Sequence, residues 1–261
     1  HLLGASEFHT LTDSERHTVT DLTVEAVGGQ VPVVIGVAGT SKEHAIELTS
    51  RAEELGADSV CARPPYAVLG APPSPAELED YYGAIGAAVD LPVMIQNCPP
   101  TALSADTLHA LLKLRNIDYV KEETPLSGHV ISETLRLSPD NCKGIFGGGG
   151  GTQIPDEHHR GSSGTMPGAH VPEIFVALWD ALEAGNVAQA LALRTRILPT
   201  SMLEARFFPG FYKEVLVRRG VISTAVTRTT GAPIFDAFDR EELDTVIHEI
   251  SDLLSIPVSV G

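Results

Sequence analysis

Short apolar runs alternate with longer amphipathic stretches from one end of this chain to the other, and that rhythm limits its possible folds more than any single residue does. Strand-like runs fall at 1–4, 33–37, 59–62, 93–96, 117–121, 144–146 and 164–166. Helix-like stretches fall at 13–27, 42–55, 75–89, 104–114, 128–137, 154–160 and 172–184. Thr12-Asp13-Ser14-Glu15 and Ser41-Lys42-Glu43 supply capping side chains and first-turn acids, and Ser74-Pro75 puts proline at a first helical position. Gly28-Gly29, Gly56 and Gly185-Asn186 supply the stops. Repeating βα units of roughly 25–30 residues, with no break in composition, predict a parallel sheet wrapped by helices. A doubly wound nucleotide-binding sheet would want Gly-x-Gly-x-x-Gly after its first strand. The glycine run 147–151 comes late and lacks that fingerprint, so it reads as a strand-to-helix loop where backbone or ligand approaches closely. The prediction is an α/β fold: a (β/α)8 barrel over 1–186, then a helical extension over 187–261 with three more helices. Seven strands are visible, so the first βα unit of an eight-fold barrel is expected to be missing from this chain.

The length of 261 residues and an apolar content of 43% suit one such barrel. A net charge of −16 argues against nucleic acid and anionic membrane as partners. No apolar run reaches the ~18 residues of a membrane helix and no basic-then-apolar signal peptide opens the chain. Cys61, Cys98 and Cys142 are far apart and form no CxxC pair, so reduced thiols and a cytoplasmic protein are expected. His158-His159 lies in a polar segment without matching ligands, which reads as a surface pair; no metal site is expected.

Among the five lysines, Lys42, Lys113 and Lys213 sit in helix-like stretches and Lys143 precedes a strand. Lys121 alone closes one, in Ile117-Asp118-Tyr119-Val120-Lys121, followed by Glu122-Glu123-Thr124-Pro125. There the stem lies among apolar neighbours and the amine emerges at the strand's carboxyl edge. Burial disfavours an ammonium, and a neutral amine is what attack on a ketone requires. Position alone also fits a lysine that snorkels from a strand end.

In order along the chain, these strings resemble the dihydrodipicolinate synthase and N-acetylneuraminate lyase family of Schiff-base barrels. Leu3-Gly4-Ala5-Ser6-Glu7 and Leu11-Thr12-Asp13-Ser14-Glu15-Arg16 resemble the segment after the family's second strand. Ala57-Asp58-Ser59-Val60 with Pro64-Pro65-Tyr66 resembles the fourth strand and its loop, and Leu91-Pro92-Val93-Met94-Ile95-Gln96-Asn97-Cys98-Pro99 the fifth. Tyr119-Val120-Lys121-Glu122 resembles the sixth, where the Schiff-base lysine sits, and Gly161-Ser162-Ser163-Gly164-Thr165-Met166 the eighth. The chain departs from the synthases at Gln96, which stands where they carry a relay tyrosine, at Ala67, where a second tyrosine is usual, and at Thr101, where they carry an arginine. Met94-Ile95-Gln96, Lys121-Glu122-Glu123-Thr124-Pro125, Ser6-Glu7 and Gly164-Thr165-Met166 are closer to the dehydratases of 2-keto-3-deoxy sugar acids, in particular L-2-keto-3-deoxyarabonate. Asn97 departs from that branch, where an aspartate is usual.

The resemblance implies a Schiff-base lyase that dehydrates a 2-keto-3-deoxy sugar acid, without a cofactor, as a homo-oligomer (tetramer or dimer). Lys121 would form the imine. Strand alternation puts Glu123 on its side and Glu122 on the other, so Glu123 is the candidate acid/base, or else a loop-capping glutamate. Gln96 would position a carbonyl or water, since an amide does not titrate. Ser6, with the amides of Ala5 and Ser6, would hold the substrate carboxylate. Tyr66, Arg63, Gly164, Thr165 and Met166 complete the candidate binding set. Two other readings stay open: retro-aldol cleavage to pyruvate plus an aldehyde, and a decayed homologue that binds a keto acid or only scaffolds.

Overall fold

The computed structural model describes residues 1–65 and 72–256. Six strands, β1 (Val34–Gly36), β2 (Ser59–Ala62), β3 (Val93–Asn97), β4 (Ile117–Glu122), β5 (Gly144–Gly147) and β6 (Gly164–Thr165), form one parallel sheet in chain order. Between and after them run α1 (Asp13–Val27), α2 (Lys42–Glu54), α3 (Pro75–Ala88), α4 (Ala105–Leu111), α5 (Ser127–Leu137), α6 (Ile154–His159), α7 (Pro172–Glu183), α8 (Val187–Phe207), α9 (Gly210–Arg218) and α10 (Ala237–Glu249). The described residues group into two compact units, His1–Gly149 with His159–Thr165, and Gly150–His158 with the residues from Met166 on. No helix among them is long and apolar enough to cross a membrane.

The expected caps are in place. Thr12 and Ser74 each form a capping box, with Glu15 and Glu77, and Ser41 accepts from the His44 amide. Gly28, Gly56 and Gly185 adopt positive φ just past α1, α2 and α7. The expected strand at 1–4 does not form. His1 alone bonds β1, donating to Val34 O and accepting from the Gly36 amide at 2.7 Å. Leu2 then takes φ 59° and turns the chain into the 3-10 turn Gly4–Ser6, ending the extended run after one residue. A Cβ on Gly36 would lie 2.2 Å from Leu2 O, so this approach requires glycine.

One face of the sheet makes the core of the first unit. Val60, Ala62, Val93, Ile95, Val120 and Ile145 join Leu48 and Ala52 of α2, Tyr82 and Ile85 of α3, Leu108 of α4 and Ile131 of α5 in one apolar cluster. A bulge in β4 completes that face. Val93 pairs with Ile117 but Met94 with Tyr119, leaving Asp118 as the extra residue. Lys143 holds Asp118 twice, its amide to the carbonyl at 2.8 Å and its Nζ to Oδ2 at 2.9 Å. Ile117 therefore joins the helix-facing core, whereas Tyr119 and Lys121 face the other way.

In the second unit α8 packs against α7, α9 and α10. His170 is buried among the rings of Phe175, Phe211 and Tyr212, at centroid distances of 5.8, 5.1 and 5.1 Å. Arg219 donates to the His170 carbonyl and pairs with Glu173. His158 bonds Glu183 at 2.8 Å and packs edge-on to Trp179.

Candidate active site

The register sorts the carboxyl ends of the strands into two rows. Gln96, Lys121, Phe146 and Gly164 are paired in sequence across β3 to β6, and Asn97, Glu122, Gly147 and Thr165 form the next row. Successive residues of a strand point to opposite faces, so the two rows do too. Beneath Lys121 on its own face lie Tyr119 and Met94, with the Tyr119 ring 6.1 Å from that of Phe146.

Lys121 is 5% exposed and its Nζ donates to Glu123 Oε1 at 2.7 Å. Gln96 Nε2 donates to the other oxygen of the same carboxylate at 2.6 Å. Glu123 lies just past the end of β4, where its amide still donates to Asn97 O at 2.8 Å and prolongs the strand geometry by one residue. Lys121 and Glu123 thus share a side, as alternation predicts. Gly148 makes room for this: a Cβ there would stand 2.4 Å from Glu123 Cγ. Within the glycine run the close approach to the site is at Gly148, and the approaching group is a side chain where backbone or ligand was expected.

Glu122 turns the opposite way and is fully buried. Its Oε1 accepts from the amide of Thr124 at 2.8 Å and from the Thr124 hydroxyl, and its Oε2 accepts from Asn97 Nδ2 at 2.6 Å. Asn97 also donates to Leu103 O at 3.1 Å and accepts from the Leu103 amide at 2.7 Å, which ties down the loop after β3. Burial raises the Glu122 carboxyl above its ordinary value, against the Thr124 and Asn97 donors that lower it. The cysteines here are inert. Burial pushes the Cys61 thiol up to about 12 and Cys98 up to about 11, and both are free, as is Cys142.

The remaining candidates are distributed unevenly. Arg63 follows β2 and donates to Pro99 O at 3.1 Å. The Ser6 amide donates to Leu3 O inside the 3-10 turn, so it is not the open donor that was expected for a carboxylate; Ala5 lies in the same turn. Gly164 lies in the Lys121 row, against the Phe146 ring, whereas Thr165 lies in the Glu122 row with its hydroxyl buried and without a hydrogen-bond partner among the described residues. Met166 falls in the second unit. Tyr66 lies outside the described residues. Three neighbours of the site were not expected from the sequence: Phe146, Gly148 and Asn97. Phe146 needs the inter-strand register to be seen, whereas the glycine run and the asparagine after Gln96 were visible signals without an assigned partner.

Residues 2–250 match the dihydrodipicolinate synthetase family, and the chain belongs to it. The chain is 28% identical over 256 residues to the L-2-keto-3-deoxyarabonate dehydratase of Azospirillum brasilense, covering 97% of this chain and 83% of that one. It is 32% identical over 219 residues to the 4-hydroxy-tetrahydrodipicolinate synthase of Methylobacterium radiotolerans, covering 82% and 72%. Its fold matches that of YagE, a prophage protein of the same family from E. coli K12, with TM-score 0.86 and 24% identity over 95% of this chain and 85% of that one. The dihydrodipicolinate synthase of Thermotoga maritima matches with TM-score 0.87 and 24% identity, over 97% and 86%. These neighbours make the parallel sheet part of a (β/α)8 barrel, and lyase chemistry on small keto acids is the chemistry of the family.

Proposed function

We propose that this protein is a Schiff-base lyase that removes water from a 2-keto-3-deoxy sugar acid. The observation that carries the reading is the single carboxylate of Glu123 bonded at one oxygen by Lys121 and at the other by Gln96. Glu123 takes a proton from Nζ, and the freed amine attacks C2 of the keto acid. The carbonyl oxygen takes one proton from the amine and the other back from Glu123, leaves as water, and a protonated imine forms beside a Glu123 carboxylate restored for the next step. The imine is an electron sink, so the Glu123 carboxylate removes a proton from C3 and the enamine results. The enamine expels the C4 hydroxyl, which takes the proton from Glu123 and leaves as water. Hydrolysis of the imine returns Lys121 and a product one water lighter than the substrate. No electron leaves or enters, so the residues themselves balance the reaction.

Gln96 supports dehydration over retro-aldol cleavage. Cleavage starts by taking the C4 hydroxyl proton, a task for a titrating relay, and an amide does not titrate. The Ser6 hydroxyl and the Arg63 guanidinium serve as donors to the anionic and hydroxylated ends of the substrate in this reading. The protein acts in the cytoplasm as a homo-oligomer, dimer or tetramer, whose mass light scattering reads directly.

Incubation with pyruvate and borohydride is expected to add covalent mass at Lys121, and Lys121→Ala is expected to lose the adduct completely. A wild-type Lys121 left unmodified overturns the mechanism and favours a decayed homologue. With a 2-keto-3-deoxy sugar acid, loss of water without carbon cleavage is the expected product pattern. Pyruvate plus an aldehyde in its place makes the enzyme an aldolase.

A further inference from the structure

The amide of Gln96 has one end accounted for and one end open. A carboxylate only accepts hydrogen bonds, so the end of Gln96 that meets Glu123 Oε2 at 2.6 Å is the NH2 group. This fixes the amide's orientation by chemistry. Oε1 faces away from Glu123, is buried, and meets no donor among the described residues. Nearly all buried polar atoms of folded proteins have a partner, so an orphaned acceptor beside a candidate catalytic lysine calls for a donor from outside.

Gln96 is the register partner of Lys121, one strand away, or about 4.8 Å. A substrate held at Nζ through C2 therefore extends its later carbons within reach of the amide. The carboxylate and the carbonyl of a keto acid carry acceptors alone, and neither satisfies Oε1. A hydroxyl on a carbon beyond C3 does. We infer that Gln96 Oε1 accepts a hydrogen bond from a substrate hydroxyl and makes Gln96 the residue that selects hydroxylated 2-keto acids over plain ones. The inference rests on the Schiff-base reading above and adds to it the recognition of one functional group.

Borohydride trapping at Lys121 tests it with three acids of equal chain length: 2-ketopentanoate, 4-hydroxy-2-ketopentanoate and 5-hydroxy-2-ketopentanoate. The readout is the concentration of each that half-labels the protein, with the adduct identified by its mass. At least one hydroxylated acid is expected to half-label wild type at a concentration about 3–10-fold lower than 2-ketopentanoate, the worth of one neutral hydrogen bond. In Gln96→Met, which keeps the bulk and loses the acceptor, that ratio is expected to fall to near one. Equal labelling of wild type by all three acids overturns the inference, because the acceptor is then satisfied by water, and this comparison stands even where the variant does not fold. A preference that survives in Gln96→Met overturns it as well. Absence of any adduct at Lys121, with pyruvate included, takes down the Schiff-base reading and this inference together, so the two failures are distinguishable.

Discussion

Glu122 and Glu123 are neighbours in sequence, yet they belong to two different regions of the molecule. Glu122 closes β4 on the side away from the lysine, fully buried, with three donors from Asn97 and Thr124 fixed on its oxygens. Glu123 lies on the Lys121 side, with a side chain 19% exposed and each oxygen bonded by a side chain of the candidate site. The first arrangement joins backbone to backbone: through Asn97 it reaches Leu103 and the loop after β3. The second joins the candidate Schiff-base lysine to an amide whose other end has no partner among the described residues. The same chemical group is thus a strut on one face of a strand and a candidate acid/base on the other. What separates them is which polar groups surround each carboxylate and that Glu123 keeps some exposure while Glu122 keeps none.

The comparison breaks most visibly at Glu123. Glu123→Gln is expected to slow turnover by about 10²–10⁴-fold, the usual worth of a positioned acid/base. Lys121 should still be trapped by pyruvate and borohydride at saturation over longer incubation. Full activity in this variant would show that Glu123 is as structural as Glu122. On the other face, Asn97→Ala strips one donor from Glu122 and leaves both the amide and the carbonyl of Leu103 without their partners. Buried polar groups left unmade cost ~1–3 kcal/mol each, so a loss of roughly 2–4 kcal/mol is expected, seen as a fall of several degrees in the thermal midpoint. An unchanged midpoint means that the loop does not depend on the strut.

Gly148→Ala sharpens the contrast without removing a polar group. The new methyl displaces Glu123 from Lys121, and a shift on the scale of an ångström is expected to lower kcat by about tenfold while the thermal midpoint moves little. Equal kcat in the variant and wild type removes the glycine from the account of the site.

The last effect is confined to acid pH and concerns a buried titrating group far from this chemistry in sequence. Burial, aided by the Arg219 guanidinium, pushes the His170 imidazole down to about 3. An unfolded histidine titrates near 6.5. Between those values the unfolded chain binds a proton that the folded state refuses, so this contribution to stability is complete above about 6.5 and is lost as pH falls. In His170→Phe the difference from wild type is expected to change by up to about 1.4 kcal/mol per pH unit across that window and to be flat above it. Parallel curves of midpoint against pH for the two proteins would remove His170 as their cause.

Much of this was legible in the sequence. The capping residues, the glycine stops, the order of βα units and the three tail helices follow from local rules, and the structure keeps them. So does the sharing of one side by Lys121 and Glu123, because alternation is a property of the strand itself. The run at 1–4 was misread because composition does not report φ: Leu2 looks like a strand residue and turns the chain instead. The glycine run signalled a close approach but not its partner: backbone or ligand was expected, and the group at Gly148 is the Glu123 side chain, 25 residues earlier, brought there by the neighbouring strand.

The sequence by itself determined the βα rhythm, the helix starts and glycine stops, the lysine near the end of its strand and the identities that place the chain in its family, because these depend on residues a few positions apart. Tertiary structure decided which residues meet. The bulge at Asp118 turns Ile117 to the helices and leaves Tyr119 and Lys121 on the opposite face, and the register sets Gln96 beside Lys121 and Phe146 on its far side. The physical reason is that pairing between strands is set by hydrogen bonds and packing across the whole sheet, and a slip of one residue would exchange the two faces. Such a slip would leave every local pattern in the sequence unchanged and would put Glu122, in place of Glu123, on the side of the lysine's neighbours.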